Sequence, residues 1–223
     1  MKKTPRARQR NALSREQIIQ TAITILDDLG EAGLTFQALA RSLATGAGAI
    51  YWHVENKDDL LIAACDVVIE RALDANVGLT PEEEICSIGL GIFDALDLHP
   101  WMGSVLSHAA GSMPTIRIIE RIGNQVRALN VVEEWSVVSA LLSYIVGVAA
   151  QNAANAQFAL RKGLNRSKFL GEIATLWAAL DPDQFPFTSS IASKLPGHDD
   201  RADFVAGIRL LVGAIRRGVD DAS

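Results

Sequence analysis

Residues 45–57, TGAGAIYWHVENK, place two glycines two positions apart and follow them with three adjacent rings, Tyr51, Trp52 and His53. The glycines suit a loop that cradles a small phosphate, whereas the rings suit a surface that meets something larger. A phosphate loop needs a preceding strand and further glycines, or a Gly-Lys-Ser/Thr ending, so that several backbone amides converge on the anion. Here residues 35–44 have helical spacing, and Ala49, Ile50 and Tyr51 follow Gly48. Context excludes the nucleotide loop. What remains is a helix, a tight turn around Thr45 and Gly46, and a short second helix that buries Ile50. That is the pattern of a helix-turn-helix, whose second helix enters the major groove of DNA.

Outward from this stretch, almost every apolar run repeats at helical spacing and none alternates long enough for a half-buried strand, so the fold is expected to be all-α. A first helix begins at Ser14, with Gln17 reaching back to complete a capping box. Its stripe is Ile18, Ala22, Ile25, Leu26 and Leu29, and Gly30 ends it. Thr35 caps the second helix, which buries Phe36, Leu39, Ala40 and Leu43; the third covers about 47–53; Asn56 caps a fourth that runs to 78. Further helices are expected from Pro81, Pro100, Pro114, Glu133, Ser167 and Arg201, with residues 182–200 a long connection holding one turn of helix. The organisation predicted is a three-helix helix-turn-helix domain at 1–57, opened by a basic arm at 2–10, and a larger helical-bundle domain at 58–223. The arm reads either as a solvated tail or as a minor-groove contact.

The net charge of −5 conceals a division. Residues 1–57 hold 8 Lys/Arg against 5 Asp/Glu, and the remainder holds 13 against 21, so a polyanion partner belongs to the front. Cys65 and Cys86 lack a paired spacing, and the basic start precedes no apolar run, which points to a reducing cytoplasm. The apolar run 135–150 is shorter than the roughly 20 residues of a membrane span and reads as a buried helix.

The stretch LTFQALARSLATGAGAIYWHVENKDDLL, 34–61, resembles the helix-turn-helix signature of the TetR (tetracycline repressor) family of bacterial transcription regulators. LHPWM at 98–102, LLSYIVGVAAQ at 141–151 and FVAGIRLLVGAI at 204–215 are similar to that family's tetracycline-repressor-type C-terminal domain. The resemblance implies that Thr35 and Gln37 meet phosphate and base edge. It implies that Thr45, Ala47, Gly48, Tyr51, Trp52 and His53 form the recognition surface, and that Lys57 holds a backbone phosphate. Each role is chemically sound, since hydroxyls and amides position a protein on phosphates and Gln pairs with adenine. One departure stands out: the first turn of the recognition helix is Gly46, Ala47, Gly48 and Ala49, which has few groups for reading bases. Either the backbone approaches the bases closely, or choice of site rests on Gln37, methyl contacts and DNA shape.

The resemblance further implies a homodimer, with Val138, Leu142 and Ile145 of the long helix and Phe204, Ile208, Leu211 and Ile215 of the last helix at the interface. The other face of the long helix would line an effector pocket, read as Phe93, Trp101, Met102, Tyr144, Val148 and Gln151: large rings with a few amides for a mostly apolar ligand. No catalytic constellation is legible. The four histidines are scattered, no Gly-x-Ser-x-Gly elbow exists, and no cofactor or metal is expected. The function expected is a cytoplasmic DNA-binding repressor released by a small molecule. The alternative is a helical ligand-binding or interaction protein whose helix-turn-helix no longer reads DNA.

Overall fold

The computed structural model describes residues 13–74, 79–108 and 111–220, so the basic arm and the expected helix end at 75–78 lie outside the described residues. Eleven α-helices and no strand are present among the described residues. The chain divides into two compact units, one ending at Ala64 and the other beginning at Cys65.

The first unit holds α1 (Arg15–Gly33), α2 (Phe36–Ser42), α3 (Ala47–Tyr51) and the start of α4 (Lys57–Leu73). The capping box at the head of α1 is formed: Gln17 N–H donates to the Ser14 hydroxyl and Ser14 N–H to the Gln17 carboxamide, both at 3.1 Å. Gly30 breaks the helix inside its last turn at φ 65°, ψ −173°, a region essentially reserved for glycine. Leu29 beside the break is exposed, so the core stripe stops at Leu26; Ile19 and Ile23 join it instead. Leu34, Leu39, Ile50, Val54 and Leu60 complete this core. The division falls inside α4 rather than at its start, because Leu60, Leu61 and Ala64 are buried residues of the small unit.

In the second unit α5 (Pro81–Leu98) packs against α7 (Met113–Ala128), α8 (Glu134–Arg161) and α11 (Asp200–Asp220), while α6 (Met102–His108) rests on α8. Thr80 closes a second capping box with Glu83. A Cβ on Gly91 would overlap the Ala72 carbonyl, which fixes how closely α5 passes the end of α4. Arg117 on α7 donates from Nε to one oxygen of Asp66 at 2.7 Å and from a terminal nitrogen to the other at 3.3 Å, and Arg121 bonds Glu84 at 2.6 Å. Burial pushes the Cys65 thiol up to about 12, so it stays protonated and inert.

The connection 182–200 is more ordered than one turn. It contains α10 (Pro186–Ile191) and a 3₁₀ helix (Ala192–Gly197), which pack on α9 (Arg166–Ala178). Asn165, not Ser167, caps α9 by accepting from Lys168 N–H at 3.0 Å. No residue of α9 or α10 is fully buried.

The two faces of α8 correct the expected dimer interface. Val138, Ile145, Phe204 and Ile208 are each under 5 % exposed and fill the subunit's own core. They cannot also face a partner. Leu142, Leu211 and Ile215 are half-buried, and the open face of α8 is Ala140, Ser143, Gly147, Gln151 and Ala154. α8 is long and apolar enough by length and composition to cross a membrane. Its buried face, including Leu141 and Ala149, belongs to the core of this unit.

Candidate nucleic-acid interface and effector cavity

The turn between α2 and α3 is built by backbone geometry. Ala44 takes the left-handed conformation at φ 49°, and Thr45 N–H reaches back to the Ala40 carbonyl at 2.9 Å, closing α2 as glycine would. Ile50 is fully buried and anchors α3, while Tyr51 (56 % exposed) and Trp52 (89 %) stand out from its end. His53 is half-buried. A helix this short has one inward position, so Tyr51 and Trp52, which follow Ile50 directly, are turned to solvent.

Thr35 and Gln37 are exposed on the first turn of α2. The Thr35 hydroxyl oxygen accepts from Ala38 N–H at 3.0 Å, which leaves its own O–H to donate outward. Ala47 and Thr45 are half-buried, and Gly48 is exposed. Cβ atoms built on Gly46 or Gly48 meet nothing within 4 Å, so no packing inside the protein requires glycine at either place.

Two relationships escaped the sequence. Phe36, expected in the core, is half-exposed and stacks on Tyr51, with ring centroids 4.3 Å apart and planes 13° apart. Lys57 donates its ammonium to the Glu31 carbonyl, tying the end of α1 to the head of α4. A backbone acceptor 26 positions away leaves no trace in a periodic pattern.

The second unit holds a cavity of about 750 Å³. Of the six expected pocket residues, Phe93 lines it. Trp101 and Met102 are buried outside its lining, Val148 is half-buried, and Gln151 lies on the open face of α8. Tyr144 serves α11 instead: its hydroxyl donates to the Phe204 carbonyl at 3.1 Å, and a Cβ on Gly207 would overlap that hydroxyl. Burial, with Asp203 nearby, raises the Tyr144 phenol above its usual range. The cavity lies between the C-terminal parts of α5 and α8, α9 and the start of α11.

Residues 18–64 match the family model of bacterial regulatory proteins, tetR family. The transcriptional regulator SCO7222, a TetR from Streptomyces coelicolor, is 43% identical, with 92% of this chain and 98% of that one covered and a TM-score of 0.82. The chain belongs to the TetR family. Among other TetR-family relatives, the tetracycline repressor protein class C of Escherichia coli is 42% identical over 59 residues, 26% of this chain and 27% of the repressor. The chain thus spans about a quarter of the length of that curated relative. The structure of BioQ with its double-stranded DNA operator is similar at 31% identity and a TM-score of 0.58, covering 66% of this chain and 92% of that one. The matched segment 18–64 contains the whole α2–α3 surface described above.

Proposed function

We propose that this TetR-family chain is a homodimeric repressor, active in the cytoplasm, that binds a two-fold operator and leaves it when a small molecule occupies the second unit. The observation that carries the reading is the exposed pair Tyr51 and Trp52, held outward by buried Ile50 on the second helix of a helix-turn-helix. Thr35, Gln37, Thr45, His53 and Lys57 would join that pair as phosphate and base contacts. The open space over Gly46 and Gly48 favours close approach of the α3 backbone to DNA. A Cβ there would clash with no atom of the protein, so a steric reason to exclude one lies outside it. The chain acts by binding rather than catalysis.

Dimerisation is assigned to the open face of α8, through Ala140, Ser143 and Gly147, together with exposed Ala206, Leu210 and Ala214 of α11 and half-buried Leu142, Leu211 and Ile215. Small side chains let helices approach closely, and Leu210, 73 % exposed, gives that approach an apolar centre. A two-fold pair presents two recognition helices to half-sites one helical turn apart. The helix α4 begins at Lys57 in the first unit and ends in the second, where Asp66 is tied to Arg117. An effector that prefers one position of that end lowers DNA affinity, and by linkage DNA weakens the effector equally.

Footprinting of the DNA upstream of the chain's own gene tests this reading. Protection of two symmetric half-sites, lost when the effector is added, is expected. Uniform or absent protection would favour the alternative of a binding protein that no longer reads DNA.

A further inference from the structure

The cavity has two walls of opposite chemistry. α8 and α9 supply a mainly apolar side that includes Ala159, Leu160, Phe169 and Ile173, with the amides of Asn152 and Asn155 among them, and α5 adds Phe93. The end of α5 and the start of α11 supply four carboxylates, Asp94, Asp97, Asp199 and Asp200, against two guanidinium groups, Arg166 and Arg201.

Both guanidinium groups are already engaged. Arg201 holds the two Asp94 oxygens at 2.9 and 3.0 Å, and Arg166 Nε donates to Asp200 at 2.6 Å. His198 lies between Asp200 and Asp203, at 3.2 and 3.1 Å. Asp199 accepts the N–H groups of Arg201 and Ala202 at the head of α11. Asp97 has no partner among the described residues. It lies one helical turn from Asp94 on the same side of α5, and with Asp94 matched by Arg201 the charge of Asp97 is left uncompensated. An anionic guest would have to displace a carboxylate from an arginine. A cationic guest meets an unmatched charge.

We propose that this cavity takes an amphipathic organic cation, with an aromatic or extended apolar body against Phe93 and Phe169 and a protonated amine or quaternary nitrogen at Asp97. This assignment rests on the effector-responsive reading of the second unit and names its ligand class. Apolar contact supplies most of the affinity, and the carboxylates select the sign of the charge.

Calorimetric titration of the full chain with three matched probes tests it: 4-phenylbenzylamine, 4-phenylbenzyl alcohol and biphenyl-4-carboxylate. The amine is expected to bind about tenfold more tightly than the carboxylate, with the alcohol between them. Asp97→Asn should weaken the amine about three- to fivefold, as an exposed charge pair allows, and leave the alcohol unchanged. Phe169→Ala should weaken all three. Equal or tighter binding of the carboxylate, no binding of any probe, or an equal loss for all three in Asp97→Asn would overturn the assignment. A separate gel shift with the amine keeps the two readings apart. If the amine binds as described while DNA stays bound, the effector reading fails and the chemistry of the cavity stands.

Discussion

The ring of Phe36, at the first position of α2, lies flat against the ring of Tyr51, the last residue of α3, with centroids 4.3 Å apart. One face of Tyr51 is therefore fixed by the scaffold helix while the residue stays 56 % exposed. Stacked aromatic pairs contribute about 0.5–1.5 kcal/mol beyond their buried area. Phe36→Leu should therefore weaken operator binding about two- to tenfold by freeing Tyr51. In a double-mutant cycle, Phe36→Leu should add nothing in a Tyr51→Ala background. Full additivity would show that Phe36 acts on the fold rather than through Tyr51.

Gly48→Ala separates stability from recognition. Gly48 sits in α3 with open space above it, so alanine should stabilise the fold by about 0.5–1 kcal/mol. If the α3 backbone approaches DNA closely, the same methyl group should weaken operator binding. Thermal unfolding and fluorescence anisotropy on the same variant read both effects, and a gain in both would remove the close-approach argument.

Lys57→Ala should act twice. Loss of the bond to the Glu31 carbonyl should lower the stability of the first unit by only about 0.5–1.5 kcal/mol, because that carbonyl still accepts from Leu34 N–H at 3.3 Å. Loss of a phosphate contact should weaken binding to all sequences alike. Gln37→Ala, on an exposed side chain, should leave stability unchanged and relax choice at one base position. Denaturant unfolding together with binding to single-base operator variants distinguishes these outcomes.

Much of this was legible in the sequence, for reasons that can be named. Ser14 with Gln17 announces one helix start and Pro81 another, because caps and first-turn residues act locally; the pairing of Thr80 with Glu83 was added by the structure. The outward rings were legible because three consecutive residues cannot share one side of a short helix. The pocket and the dimer face were not, because α8 is apolar nearly all round. Val138 and Ile145 fill the core while Ser143 and Gly147 stay open, and periodicity alone cannot say which apolar face turns inward. The pairing of Arg201 with Asp94 joins residues 107 positions apart and has no local signature.

The corrected interface makes its own prediction. Ser143→Arg, on the open face of α8, should shift the sedimenting species from dimer to monomer with little change in the unfolding of the subunit. Phe204→Ala, in the core, should instead cost about 3–5 kcal/mol of stability. Dimers persisting in Ser143→Arg would move the interface elsewhere.

The central claim is that the outward rings of α3 meet DNA. It is tested most directly by titrating the duplex upstream of the chain's own gene with the wild-type protein and with a Tyr51→Ala/Trp52→Ala variant, at two salt concentrations. Wild-type affinity should fall steeply as salt rises, because bound Lys and Arg displace counterions. The double variant should bind at least about tenfold more weakly, in line with the loss of two anchoring rings, while losing no more stability than the roughly 0.5–1.5 kcal/mol of the Phe36 stack. Equal affinity of the two proteins for that duplex would contradict the account.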